Sequence, residues 1–145
     1  MCDTILVATD GSEHADRAVR RAVSLAREHG ARLHALAVVD RRVREEPGMS
    51  TEALVTIEAE DRYGDCLADV ERRAADAGVD VECEVAHGVP HEAILAYADR
   101  IDADVVLLGA HGDHETHIGG VGRKVRRGTD REVRVVEARD RGRPA

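Results

Sequence analysis

The 145-residue chain reads as an α/β protein built on a five-stranded parallel sheet with helices on both faces. Three observations predict that class. Short apolar runs with β-branched residues alternate with longer stretches in which apolar residues recur every three to four positions, in the order β-α-β-α-β-α-β-α-β. Glycine or proline punctuates the helix ends, so the boundaries are marked in the sequence itself. The length suits one domain around one core, with residues 1–138 as the domain and 139–145 as a frayed tail.

Each element has its own signature. "TILVA", Thr4 to Ala8, is a compact apolar run of the kind a strand shows when both of its faces are buried. "TDGSE" turns the chain, with Ser12 as a helix N-cap. From Glu13 to His29 the residues Ala15, Ala18, Val19, Ala22, Val23 and Ala26 make one helical stripe, and Gly30 stops it. "RLHALAVV", Arg32 to Val39, is the second strand. A polar loop with Pro47 and Gly48 leads into a helix from about Glu52 to Ala77, with Leu54, Ile57, Tyr63, Leu67, Val70 and Ala74 on its apolar side and Gly78 at its end. Val79 to Ala86 alternates apolar and polar, which fits a strand near a sheet edge. After Pro90 a helix buries Ile94, Tyr97, Ala98 and Ile101. "ADVVLLG", Ala103 to Gly109, is the fourth strand, a short basic helix runs from about Gly120 to Arg127, and "EVRVVEA" closes the sheet as the fifth.

Composition narrows the function. Phe and Trp are absent and Tyr63 and Tyr97 are the only tyrosines, so the core is aliphatic and stacking platforms for RNA or single-stranded DNA are disfavoured. Acids outnumber bases by 29 to 21, a formal charge of −8, opposite to the balance of a nucleic-acid binder. Cys2, Cys66 and Cys83 are odd in number and lack C-x-x-C spacing, which supports neither a disulfide framework nor a cysteine zinc site. The opening "MCDTILVATDGS" has no charged n-region and no long apolar segment, and no stretch nears the roughly 20 apolar residues of a membrane span. A cytoplasmic protein without nucleic-acid or membrane partners is expected.

The chemistry concentrates in "GAHGDHETHIGG", residues 109–120, after the fourth strand. Ligands of doubly wound sheets sit beyond the carboxyl ends of the strands, where Asp10, the Val39–Asp40 pair and this glycine-rich segment would meet. A helix starting near Gly120 would aim the positive end of its dipole at an anion, with Arg123 and Lys124 adding charge. The same segment holds His111, His114 and His117 with Asp113 and Glu115, enough ligands for Zn²⁺ or Ni²⁺, although a solvated polar loop has the same composition. "RKVRR", residues 123–127, suits the exposed face of a helix or an anion clamp. Ser12 and Ser24 lack a G-x-S-x-G elbow, and Cys66 falls at a helix position suited to packing.

"ILVATDGSEHADRAVRRAVSLA" and "HGVPHEAILAYADRIDADVVLLGAHG" together resemble the universal stress protein family, over nearly the whole chain. The first resembles the family's opening strand, Asp-containing turn and first helix. The second resembles its G-x-P turn, third helix and fourth strand ending in G-x-H-G. The resemblance implies an adenine nucleotide alpha hydrolase-like, Rossmann-like fold and a homodimer joined through the last strand, Val133 to Val136. It also implies ATP binding, with Mg²⁺, through a motif of the form G-x2-G-x9-G-[ST]; hydrolysis would be slow at most. On this resemblance Asp10 contacts the ribose or the metal-linked phosphate end with Ala8 and Thr9 beside it, Val39 lines the adenine pocket, Leu108 and Gly109 flank the nucleotide, and Gly112, Gly119, Gly120 and Val121 offer backbone donors. Gly109 and Gly112 match the first half of the motif. At the nominal spacing the second half falls on Gly122 and Arg123; a loop three residues shorter places it on Gly119, Gly120 and Val121. Neither register supplies the hydroxyl. Three readings follow: a nucleotide-binding regulatory module, a dimerising partner-binding domain that binds no nucleotide, and a metal-responsive module using His111, His114 and His117.

Overall fold

The computed structural model describes residues 3–9, 13–40, 52–110 and 118–137. Nine elements alternate along them: β1 (Thr4–Ala8), α1 (Glu13–His29), β2 (Arg32–Asp40), α2 (Glu52–Asp76), β3 (Val81–Gly88), α3 (Pro90–Ile101), β4 (Val105–Ala110), α4 (Ile118–Arg127) and β5 (Glu132–Glu137). The strands form one sheet in the order β3-β2-β1-β4-β5, and every pairing is parallel. The alternating strand Val81–Gly88 is an edge strand, as its pattern predicts.

Two apolar layers hold the sheet between helices. Ile5 and Val7 of β1, Leu33, Ala35 and Ala37 of β2 and Leu107 of β4 face α1 and α2, meeting Ala18, Val19, Ala22, Leu67, Val70 and Ala74. Leu6, Leu36, Val106 and Leu108 face the other way, onto Ile94, Tyr97 and Ala98 of α3 and Val125 of α4. The split follows from the two-residue period of a strand, which sends neighbouring side chains to opposite faces. The central strands are buried on both sides, so their sequences are continuous apolar runs.

Three helices end in one way. Gly30 and Gly78 adopt φ of 63° and 72°, and the next residue donates its N–H back five positions, Ala31 to Ala26 and Val79 to Ala74. This is the Schellman arrangement, in which a left-handed residue lets the chain satisfy orphan carbonyls. In α3 the left-handed residue is Asp102, φ 54°, and Ala103 donates to Ala98. These stops correct two expected boundaries. Val79 and Ala103 read as the first residues of strands, but each is the buried residue that closes a helix stop, so β3 starts at Val81 and β4 at Val105. The basic helix begins two residues before Gly120, at Ile118.

A non-glycine residue at φ 54° is strained, and the structure shows what holds it. Arg131, in the approach to β5, donates to Asp102 Oδ1 at 3.0 Å, to the Ala103 carbonyl at 2.9 Å and to Asp99 Oδ1 at 3.1 Å. One guanidinium thus fastens the end of α3 and the approach to β4 beside β5. Arg131→Met keeps the stem and removes all three bonds; we expect a loss of about 2 kcal/mol in urea unfolding. A loss below about 0.5 kcal/mol would show that the three bonds together contribute little.

His34 on β2 is buried on the α3 face, its Nδ1 3.4 Å from the Tyr97 hydroxyl and 3.7 Å from Glu82 Oε1. Burial pushes its pKa below the ordinary 6.5; Glu82 opposes that, and Arg32 and Arg100 reinforce it. The folded protein therefore holds fewer protons than the unfolded chain just below pH 6.5. His34 contributes stability that is present above that pH and is lost as the pH falls toward the folded value. Urea unfolding of His34→Gln and the parent at about pH 7.5 and about pH 5.5 should give a shallower acid loss for the variant. Equal slopes would reject the assignment.

Candidate functional site

Ala8, the last residue of β1, pairs with both Leu36 of β2 and Leu108 of β4, so β1 ends between two strands that continue past it. The chain runs from β1 outward to β2 and β3 on one side, then returns to β4 and β5 on the other. The strand order therefore reverses between β1 and β4. At such a switch point the connections leave in opposite directions and open a crevice above the strand ends, where ligands of doubly wound sheets bind.

Several residues picked out from the sequence border this point. Ala8 and Thr9 end β1, and the Thr9 N–H donates to the Leu36 carbonyl at 2.9 Å, which carries the β1–β2 pairing past the strand. Thr9, Val39 and Leu108 are buried, and Gly109 is half-buried beside Val136 of β5. Val39 lies three residues beyond Leu36, so β2 reaches about 10 Å further than β1 and forms one wall. Asp10, Ser12, His111, Gly112, His114 and His117 lie outside the described residues. Among the described residues no group of three or more His, Cys, Asp or Glu could hold a metal ion.

α4 decides how the glycines divide. The first turn of a helix has backbone N–H groups without intrahelical acceptors, and Gly119 and Gly120 lie in the first three residues of Ile118–Arg127. Because β4 and β5 are parallel and α4 connects them, this first turn lies at the carboxyl end of the sheet, beside the crevice. Gly122 is different. Its N–H is already inside the helical ladder, and a Cβ there would stand 3.0 Å from Val135 Cγ2. That glycine lets α4 lie close on β5. Of the two registers for the second half of the motif, Gly119–Gly120 has amides without an acceptor inside the helix and Gly122 does not. Val121 is half-buried, with its side chain on the α3-side core.

One neighbour of the crevice had no signal in the sequence. Cys66 of α2 brings its Sγ to 3.5 Å from Thr9 Oγ1, across 57 positions of chain. Cys83 lies on the same side of the sheet, its Sγ 3.7 Å from the Leu67 carbonyl, and burial pushes its thiol up to about 11. Both cysteines are free and half-buried. At the opposite end of the sheet a polar cleft of about 400 Å³ is lined by Asp99, Arg127, Gly128, Thr129, Asp130 and Arg131. Arg131 is spent there on Asp99 and Asp102.

No described helix is long and apolar enough to cross a membrane. Comparison with known proteins agrees with this geometry. The chain is 30% identical over 111 residues to universal stress protein MJ0531 of Methanocaldococcus jannaschii, a match covering 74% of this chain and 64% of that one. The fold superposes on hypothetical protein MJ0577 with a TM-score of 0.85 at 24% identity, covering 94% of this chain and 96% of the other. It also superposes on a universal stress protein in complex with cAMP, with a TM-score of 0.71 at 27% identity, covering 93% and 97%. A profile of the universal stress protein family matches residues 1–137, and the chain belongs to that family.

Proposed function

We propose that this protein binds an adenine nucleotide, ATP with or without Mg²⁺, in the crevice between β1 and β4, and acts as a cytoplasmic regulatory module and not as a catalyst. The observation that carries this reading is the start of α4: amides at Gly119 and Gly120 without intrahelical acceptors, on the positive end of a helix dipole, beside a switch point walled by Ala8, Thr9, Val39, Leu108 and Gly109. Asp10 and Gly112, in the segments that follow β1 and β4, complete the proposed contacts, with Val121 closing the first turn. The structural relative in complex with cAMP supports an adenine nucleotide as the ligand class. Free, half-buried thiols at Cys66 and Cys83 suit a reducing compartment.

The module would work as a homodimer through β5. That strand is the sheet edge opposite β3, and Val133, Val135 and Val136 are half-buried in the isolated chain. Sedimentation equilibrium should give twice the chain mass; a monomer would remove the dimer from the proposal.

Calorimetric titration with Mg-ATP, AMP and cAMP tests the site, with GTP as the control for the base. Saturable binding of at least one adenine nucleotide and none of GTP is expected. No heat and no thermal shift with any of them would refute the reading. The missing Ser or Thr hydroxyl favours a second reading, in which the domain dimerises and binds a partner with no nucleotide; the same titration separates the two.

A further inference from the structure

α4 carries four charged side chains, Arg123, Lys124, Arg126 and Arg127, and all are basic and exposed. At about 100° per residue they cover one face of the helix. Val121, Gly122 and Val125 occupy the other, against β5 and the α3-side core. A helix face that is only wetted gains from mixing signs, because opposite charges three or four residues apart attract and like charges repel. Here Arg123 faces Arg126 and Arg127, and Lys124 faces Arg127.

Arg127 borders the cleft that also holds Asp99 and Asp130, but at no ion-pair distance. Among the described residues, Arg123, Lys124 and Arg127 form no ion pair, and Arg126 reaches only the Val133 carbonyl, at 3.4 Å. The helix dipole favours cations near the C-terminus, which accounts for Lys124, Arg126 and Arg127 in the last turn but not for Arg123 at mid-helix. The cluster also runs against the rest of the molecule. Residues 123–134 hold six bases (Arg123, Lys124, Arg126, Arg127, Arg131, Arg134) and two acids (Asp130, Glu132); the remainder holds 15 bases and 27 acids.

We propose that the outer face of α4 docks an acidic segment of a partner protein. Four cations over a helix about 15 Å long match a short run of carboxylates. A short segment covers α4 alone, whereas a long nucleic acid would extend over the acidic remainder of the surface. The helix is packed on its inner side, so docking has mainly its four outer side chains to order. α4 is held close to β5 at Gly122, and a Cβ at Gly128 would stand 2.5 Å from Leu95 Cδ1 of α3. Arg126 and Arg127 lie about two turns beyond the crevice end of α4, and docking does not depend on nucleotide being bound there.

Fluorescence anisotropy with a labelled twelve-residue Glu-rich peptide tests the proposal, with a Lys-rich peptide, a DNA duplex and anionic vesicles as parallel probes. The Glu-rich peptide should bind, more weakly as salt rises from about 50 to about 200 mM. Arg123→Glu with Arg127→Glu should weaken it at least tenfold, and Arg123→Gln with Arg127→Gln by an intermediate factor. Arg20→Glu with Arg72→Glu, on α1 and α2, should leave it within twofold. Thermal midpoints within a few degrees of the parent show that the variants fold. Absence of peptide binding, equal binding by the α4 variants, or tighter binding to DNA or vesicles would each overturn the proposal. So would a change in oligomeric state on charge reversal with no peptide bound, since the face would then belong to a second copy of this chain.

Discussion

Leu107→Ala should cost about 3 kcal/mol and lower the melting temperature by about 10 °C, the largest loss expected from any single truncation discussed for this protein. Leu107 is fully buried at the centre of β4, paired with Val7 on one side and Arg134 on the other. Its side chain packs into the layer shared with α1 and α2. Sheet neighbours on both sides and a helix above limit how far the structure can relax into the void, so the cavity adds to the lost transfer energy. Urea unfolding measures it. A loss under about 1 kcal/mol would mean that α1 can settle onto the strand, and that the core is softer than its burial indicates.

Gly119→Val should abolish nucleotide binding while leaving the fold intact. With ligand at about 100 times its Kd the parent gains about 2.7 kcal/mol, and the variant should gain none of it. A β-branched side chain at this position stands beside the amides proposed to receive phosphate. Helix propensity favours the substitution, because glycine is the poorer helix former by several tenths of a kcal/mol. The unliganded variant should therefore melt at or slightly above the parent temperature, which separates loss of binding from loss of structure. Gly122→Val makes the internal contrast: its Cβ meets Val135, so the penalty there falls on stability. Undiminished nucleotide stabilisation in Gly119→Val would move the phosphate site away from the start of α4.

The sheet was legible because periodicity reports burial. Thr4–Ala8 and Val105–Leu108 are continuous apolar runs since both of their faces are covered, and Val81–Gly88 alternates since it is an edge. Gly30 and Gly78 marked their helix ends because only glycine takes a left-handed φ without strain. The end of α3 was not legible. Asp102 takes the same conformation under strain, held by Arg131, which lies 29 residues further along the chain. The starts of β3 and β4 were misread for a related reason: an apolar residue that seals a helix stop looks the same in sequence as one that opens a strand.

For the candidate site, sequence alone determined the kinds of residue available at the strand ends, Ala8, Thr9, Val39, Leu108 and Gly109, and the family to which they belong. It also determined that no hydroxyl follows the last glycine of the motif. It left two registers for that glycine, because spacing counts residues and not hydrogen bonds. The tertiary structure adds a difference between them: a helix beginning at Ile118 leaves Gly119 and Gly120 without intrahelical acceptors and takes the amide of Gly122 into its ladder. It alone placed the Cys66 thiol against Thr9, and it alone turned four cations scattered over "RKVRR" into one face that forms no ion pair among the described residues. Those facts depend on which surfaces α2 and α4 bury. That is settled by packing between residues far apart in the chain, which local pattern does not encode.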